Sequence, residues 1–294
     1  VSDTYGGVLV LLMGLLVVVL SLMAIDFDLS GIPAERLTLI GDSDSPVPWH
    51  TLLTGMFLIQ IFYWSTNQTI TQRAMAAPTV KEAQKGVYAA AFIRVIFIPS
   101  MVVIPGIVAF KLYGDIGDQA YGRIVGDLLP SWLSGVFAAA IAAAVLSSFN
   151  SMVNSSAAMY VCDLHERYID EKPNVRVLSG IATGVFVLIA VAMVPVYAQS
   201  DSIINLLQER WGLISMPILA CFAVGILFKN VDYRAAIAAV IFGVLMYACF
   251  IWLWMPLHYI HMMFFTFFIC VGLALTINRL VLGNKAEFIG LQAV

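Results

Sequence analysis

Charge is what this sequence has least of. Only 11% of its 294 residues are Asp, Glu, Lys or Arg, against about 25% in an average soluble domain. Hydrophobic residues make up 61% and the mean hydropathy is +0.94. A water-soluble core of this size could not hide that much apolar surface, so lipid is the expected solvent for much of it. The net charge of −3 comes without a basic block, which argues against nucleic acid as a partner. The four cysteines (Cys162, Cys221, Cys249 and Cys270) lie far apart in mostly apolar segments. They have neither metal-ligand spacing nor the pattern of a disulfide framework, and read as buried thiols. A Ser-His-Asp set, an HExxH motif and a phosphate-binding glycine loop are all missing, so no enzyme is expected. His50, His165, His258 and His261 form no metal cluster in the sequence. The chain opens on Val1, without an initiator Met or a signal-peptide pattern, a few residues before an apolar run. It reads as a fragment whose N-terminal part is missing.

What is present is a series of long apolar runs. A spanning helix needs about 20 apolar residues, and about eight candidates occur, near 5–27, 50–72, 85–111, 131–162, 175–197, 202–228, 234–255 and 258–281. The fourth is too long to be only a span. Continuous runs of this length do not alternate as barrel strands do. The predicted class is an all-α polytopic membrane protein, with 1–294 as a single membrane domain. Lysine and arginine set the orientation. With the first helix starting inside, the inner segments hold Arg73, Lys81, Lys85, Arg167, Lys172, Arg176, Lys229, Arg234, Arg279 and Lys285; the outer ones hold Arg36, Lys111 and Arg123. Trp49, Trp132, Trp211 and Trp254 fall near outer helix ends, as interfacial anchors do.

Polar residues inside such runs are costly unless they face protein or water. In the fourth run Ala144, Ser147, Ser148, Ser151 and Ser155 share one helical face. Two adjacent hydroxyls and a carbonyl one turn earlier could form part of the oxygen shell of a dehydrated alkali ion. The same stretch also reads as a small-residue packing face. In the second run Gln60, Tyr63, Trp64 and Asn67 suit the wall of a polar cavity for a sugar, although Thr71 to Arg73 read as an inner interfacial end. Arg94 sits near the midplane of the third run and calls for a partner; it could also be a lock between helices. Gln208 opens the sixth run ahead of Pro217 and suits a cavity lining, while Glu209 and Arg210 read as an interfacial pair. Asp3 alone reads as interfacial.

Three stretches carry a resemblance: Tyr63-Trp64 through Asn67-Gln68 to Gln72-Arg73; Glu82 to Gly86 leading to Pro105-Gly106; and Ser147-Ser148 through Asn154-Ser155 to Asp163. Their order and spacing resemble the sodium/solute symporter family, in particular its sodium–glucose cotransporter branch. The resemblance implies the second half of a LeuT-type core of inverted five-helix repeats. Residues 1–30 would be the fifth core helix, 48–230 the second inverted repeat, and 231–283 two additional helices. It implies a sodium site at the Ala144 carbonyl and the Ser147 and Ser148 hydroxyls, with further ligands from the missing first core helix. A second sodium site would join Asp3 to Ser151. Gln60, Tyr63, Arg94 and Gln208 would contact the solute, with Tyr63 and Ile204 at the inner and outer gate positions. Arg94 stands where the sugar carriers have Lys, and Ile204 where an aromatic is common, departures that count against glucose or galactose itself but not against a polyol or another sugar.

The function that follows is secondary active transport in the cell membrane. Inward sodium flow would drive uptake of a small polar solute by alternating access, with substrate bound at the midplane between repeats. A membrane sensor built on the same fold is the alternative. Sodium, the solute and the lipid bilayer are the expected partners; the sequence is silent on oligomeric state.

Overall fold

A computed structural model of the chain describes residues 2–38, 40–43, 45, 47–199 and 202–290, with the side chains of Ser2 and Asp3 outside the described part. In chain order the helices are α1 (Ser2–Ala24), α2 (Gly55–Ile61), α3 (Gln68–Met75), α4 (Val80–Tyr113), α5 (Ala120–Leu128), α6 (Ser131–Ala158), α7 (Glu166–Tyr168), α8 (Val175–Ala198), α9 (Ile203–Leu227), α10 (Tyr233–Trp252) and α11 (Tyr259–Leu280). Among the described residues seven helices are long and apolar enough to cross a membrane. The chain is an all-α multi-pass membrane protein. The fourth predicted run is one continuous helical stretch, Ser131–Tyr168, because a π-helical turn at Met159–His165 carries α6 into α7. Two-residue strands at Phe228–Lys229 and Glu287–Phe288 pair antiparallel, a feature the long apolar runs gave no sign of.

The second predicted run, 50–72, is not one straight helix and is not among those seven. A 3-10 turn at Trp49–Leu53 leads into α2, a π-helical turn follows at Phe62–Thr66, and the chain breaks at Asn67, which is extended (φ −74°, ψ 115°). The cause is local. Ser65 and Thr66 hydroxyls donate to the carbonyls of Ile61 and Phe62 one turn back, competing with the backbone ladder. Asn67 Oδ1 then accepts from Thr69 N at 3.0 Å and starts α3.

The chain forms two compact units. One comprises the described residues of Val1–Leu39 and Gln72–Ser202. Its core gathers Met13 and Val17 of α1, Val108 and Ala109 of α4, Ile124 of α5, and Phe137 and Ala140 of α6. Thr79 starts α4 by accepting from Glu82 N at 3.2 Å, half of a capping box. Gly114, at φ 76°, ends it. Outside the helices Asp28 meets Lys111 at 3.0 Å and Arg36 meets Asp115 at 2.8 Å.

The other unit comprises the described residues of Ile40–Thr71 and Ile203–Val294. Here α9, α10 and α11 pack on one another, with Leu58 of α2, Met216, Leu219, Tyr247, Ile260 and Met263 in the core. Glycines set the spacing: Gly243 lies against Cys270 and Pro217, and Gly212 against Tyr247. Asn278 is fully buried, donating to Asn230 O at 2.9 Å and accepting from Asp232 N at 2.9 Å. His50 and His261 stack with facing ring nitrogens 2.7 Å apart, and Thr54 Oγ1 lies 2.9 Å from the other nitrogen of His261.

Candidate functional site

The hydroxyl-bearing face of α6 borders a cavity of about 660 Å³ inside the first unit. Ala144, Ser147, Ser148 and Asn150 line it from α6, Gly6 and Gly7 from α1, and Thr183 from α8. The two glycines keep side-chain atoms out of this space; a Cβ on Gly7 would meet nothing within 4 Å. The helix stays regular through Ala144, so the Ala144 carbonyl could reach an ion only through its second lone pair. Sequence periodicity found Ala144, Ser147 and Ser148. It missed Thr183, a hydroxyl in the mostly apolar α8, and the Gly6-Gly7 pair, whose use is visible only once α1 and α6 pack.

Further along the same face the hydroxyls are spoken for. Ser151 Oγ donates to Ser147 O at 2.9 Å, and Ser155 Oγ to Ser151 O at 2.8 Å. Arg73 Nη2 donates to Ser151 Oγ, and Gln72 Nε2 to Ser155 Oγ at 2.6 Å. Gln72 and Arg73 are therefore not merely an interfacial helix end; they bond to α6. The side chain of Asp3, expected beside Ser151, lies outside the described residues.

The solute candidates divide between the units. Arg94 is on α4 in the first unit, exposed on its helix. Gln60, Tyr63 and Gln208 are in the second. Gln60 Oε1 accepts from Trp64 Nε1 at 3.2 Å. The Tyr63 ring stacks on Trp211 (centroids 6.3 Å apart, planes 19° apart) and meets Trp64 edge-on at 5.2 Å. Gln208 Oε1 accepts from Tyr259 Oη at 3.1 Å. Since Gln208 precedes Trp211 by three residues, both fall on one face of α9. Trp211 thus belongs to an aromatic and amide wall rather than acting as a bare interfacial anchor, and its spacing from Gln208 was the available signal. Ile204 is exposed in the first turn of α9. Arg210 is placed over the Trp252 ring at 5.5 Å, a cation–π contact.

A helical membrane chain with a hydroxyl-lined cavity on one helix and an amide–aromatic wall on others has the parts of a solute carrier. Comparison with known proteins gives the family. The sodium:solute symporter family profile matches residues 7–243, and the chain belongs to that family. It is similar to the uncharacterized symporter YidK of Escherichia coli (strain K12), 30% identical over 293 residues, covering 95% of this chain and 51% of that protein. It is also similar to the sodium/glucose cotransporter of Vibrio parahaemolyticus (34% identical, 65% of this chain, 39% of that protein). The sodium/myo-inositol cotransporter 2 of Mus musculus is 27% identical over 69% of this chain and 33% of its own length. The chain thus spans about half the length of these curated relatives or less.

Proposed function

We propose that the protein is a secondary active transporter in which inward sodium flow drives uptake of a small polar solute, a sugar or polyol. The cavity beside Ser147 and Ser148 carries this reading. Hydroxyls midway along a spanning helix are costly against hydrocarbon and useful against a hard cation. In this reading the Ser147 and Ser148 hydroxyls and the Ala144 carbonyl supply part of the sodium shell, and residues outside this chain supply the rest. Gln60, Tyr63 and Gln208, with Arg94, contact the solute; amides bond to its hydroxyls while Tyr63 covers a C–H face. Tyr63 and Ile204 take the inner and outer gate positions. Residues 1–30 act as the fifth core helix, 48–230 as the second inverted repeat and 231–283 as two additional helices. The names of the relatives, a sodium/glucose and a sodium/myo-inositol cotransporter, favour this solute class. A second sodium at Asp3 and Ser151 would have to share the Ser151 hydroxyl with the Arg73 guanidinium, whose charge opposes it.

Coupling needs sodium and solute to favour the same state, and the effect is reciprocal. The test is uptake of labelled glucose, galactose and myo-inositol by vesicles carrying the intact protein, with sodium or choline outside. Sodium-dependent accumulation of at least one is expected. Equal uptake of all three in both salts would sink the reading.

A further inference from the structure

Two hydrogen-bond relays run side by side from α3 into α6. In the first, Arg73 Nη2 donates to Ser151 Oγ, which donates to Ser147 O at 2.9 Å. In the second, Gln72 Nε2 donates to Ser155 Oγ at 2.6 Å, which donates to Ser151 O at 2.8 Å. Consecutive residues of one helix thus grip hydroxyls one turn apart on the other. The first relay ends on the carbonyl of Ser147, whose residue lines the cavity. We propose that Arg73 and Gln72 are positioning residues that set the sodium affinity of the Ser147–Ser148 site by fixing the 147–155 face of α6. The proposal rests on the sodium-site reading above.

A guanidinium is a permanent donor, never an acceptor. Because it cannot take the Ser151 hydroxyl proton, that proton goes to the Ser147 carbonyl. Next, the turn that presents Ser147 and Ser148 has little side-chain packing of its own: Ala142, Ala143, Val145 and Leu146 are all exposed. Within this chain its geometry is therefore set by the turns on either side, Phe137 and Ala140 before it and Val153 and Ser155 after it. Finally, Ser155 is 1% exposed, so the Gln72 bond lies in a buried setting, where loss of a partner is costly. The guanidinium charge acts in the opposite sense, because a cation nearby would weaken sodium binding. The proposal is that positioning outweighs this repulsion.

The two effects predict opposite signs. In sodium-activated uptake by the intact protein, Arg73→Ala and Ser151→Ala should each raise the half-saturating sodium concentration about tenfold, the scale on which groups behind a metal ligand act. At saturating sodium the half-saturating solute concentration should stay within about twofold, and the double variant should be no worse than the worse single one, as for residues in one relay. Arg73→Lys, keeping charge and a donor, should recover part of the loss. A lower or unchanged half-saturating sodium in Arg73→Ala, or additive effects in the double variant, would overturn the proposal. If Arg73→Ala fails to reach the membrane, Ser151→Ala decides by the same criteria. Sodium-independent uptake by the wild type would instead remove the sodium site itself.

Discussion

The two units hold their helices by different means. In the second, 39% of the α9 span and 33% of the α11 span is buried; in the first, α6 buries 17% and α8 only 6%. Greasiness does not explain the contrast, since α8 is more hydropathic than α9. In a bilayer, apolar side chains gain nothing by leaving lipid for one another, so close packing depends on small residues at the contacts. Gly55, Gly212 and Gly243 sit at such contacts in the second unit, although Gly225 and Gly272 there have open space; in the first, Gly14 meets only the flexible end of Met101, and Gly86, Gly180 and Gly184 have open space where a Cβ would be. The first unit leaves its alanine and serine face on α6 open around a cavity. The packed unit carries the amide–aromatic wall, and the open one carries the hydroxyls.

The sharpest way to break this contrast is to add one methyl group to each unit. A Cβ on Gly55 would fall inside the contact distance of the Ile260 carbonyl oxygen, a backbone atom that cannot rotate away. Gly55→Ala should therefore cost about 3 kcal/mol, the upper part of the usual overpacking range. Gly184→Ala, with nothing within 4 Å, should be neutral or gain up to about 1 kcal/mol from helix propensity. Denaturant unfolding in detergent measures both. Equal losses would mean that glycine contacts do not distinguish the units.

A functional contrast comes next. Ser148→Ala removes one cavity hydroxyl and should raise half-saturating sodium about tenfold, equivalent to about 1.4 kcal/mol, with little change in unfolding. Gln208→Ala should act on the other ligand, raising half-saturating solute by about fivefold, the scale of one hydrogen bond, and sodium by less. It also deprives Tyr259 Oη of its acceptor. If Ser148→Ala moved only the solute constant, or Gln208→Ala only the sodium one, the assignment of ligands to units would be reversed.

Periodicity and run length were enough to find seven spanning helices and the α6 face, because both are local properties of a helix. The break at Asn67 was less legible. Ser65, Thr66 and Asn67 were visible as polar residues, but they also fit a helix reaching water, and only their bonds to backbone distinguish the two. Arg73 and Trp211 were read incompletely for another reason. Each looked interfacial by its distance along a helix, yet Arg73 bonds to a residue 78 positions away and Trp211 stacks on Tyr63. No helical period encodes such pairings. Arg94 was picked out by its depth alone; it belongs to the first unit, and the other three solute candidates belong to the second.

Outside the helices the loosely packed unit has polar ties, and the smallest expected effect lies there. Asp28 accepts from Ser30 N at 2.8 Å and Ser30 Oγ at 2.7 Å, and from Lys111 Nζ at 3.0 Å. The Ser30 hydrogen bonds, and after them Lys111, lower its carboxyl to about 2 from the ordinary 3.8. A depressed acid stabilises the fold fully above its unfolded value and loses that contribution as pH falls through the folded one. The tie between the end of α1 and the end of α4 should thus be intact above about pH 4, half-titrated near pH 2 and gone below that. Asp28→Asn should unfold at a lower temperature than wild type at pH 6, by a small margin since the pair is exposed and screened. The two melting curves should converge as pH drops from 4 to 2. Raising salt should shrink the Lys111 part of the gap but spare the part due to Ser30. A gap that persisted undiminished at pH 2 would show that the loop is held by something other than the carboxylate.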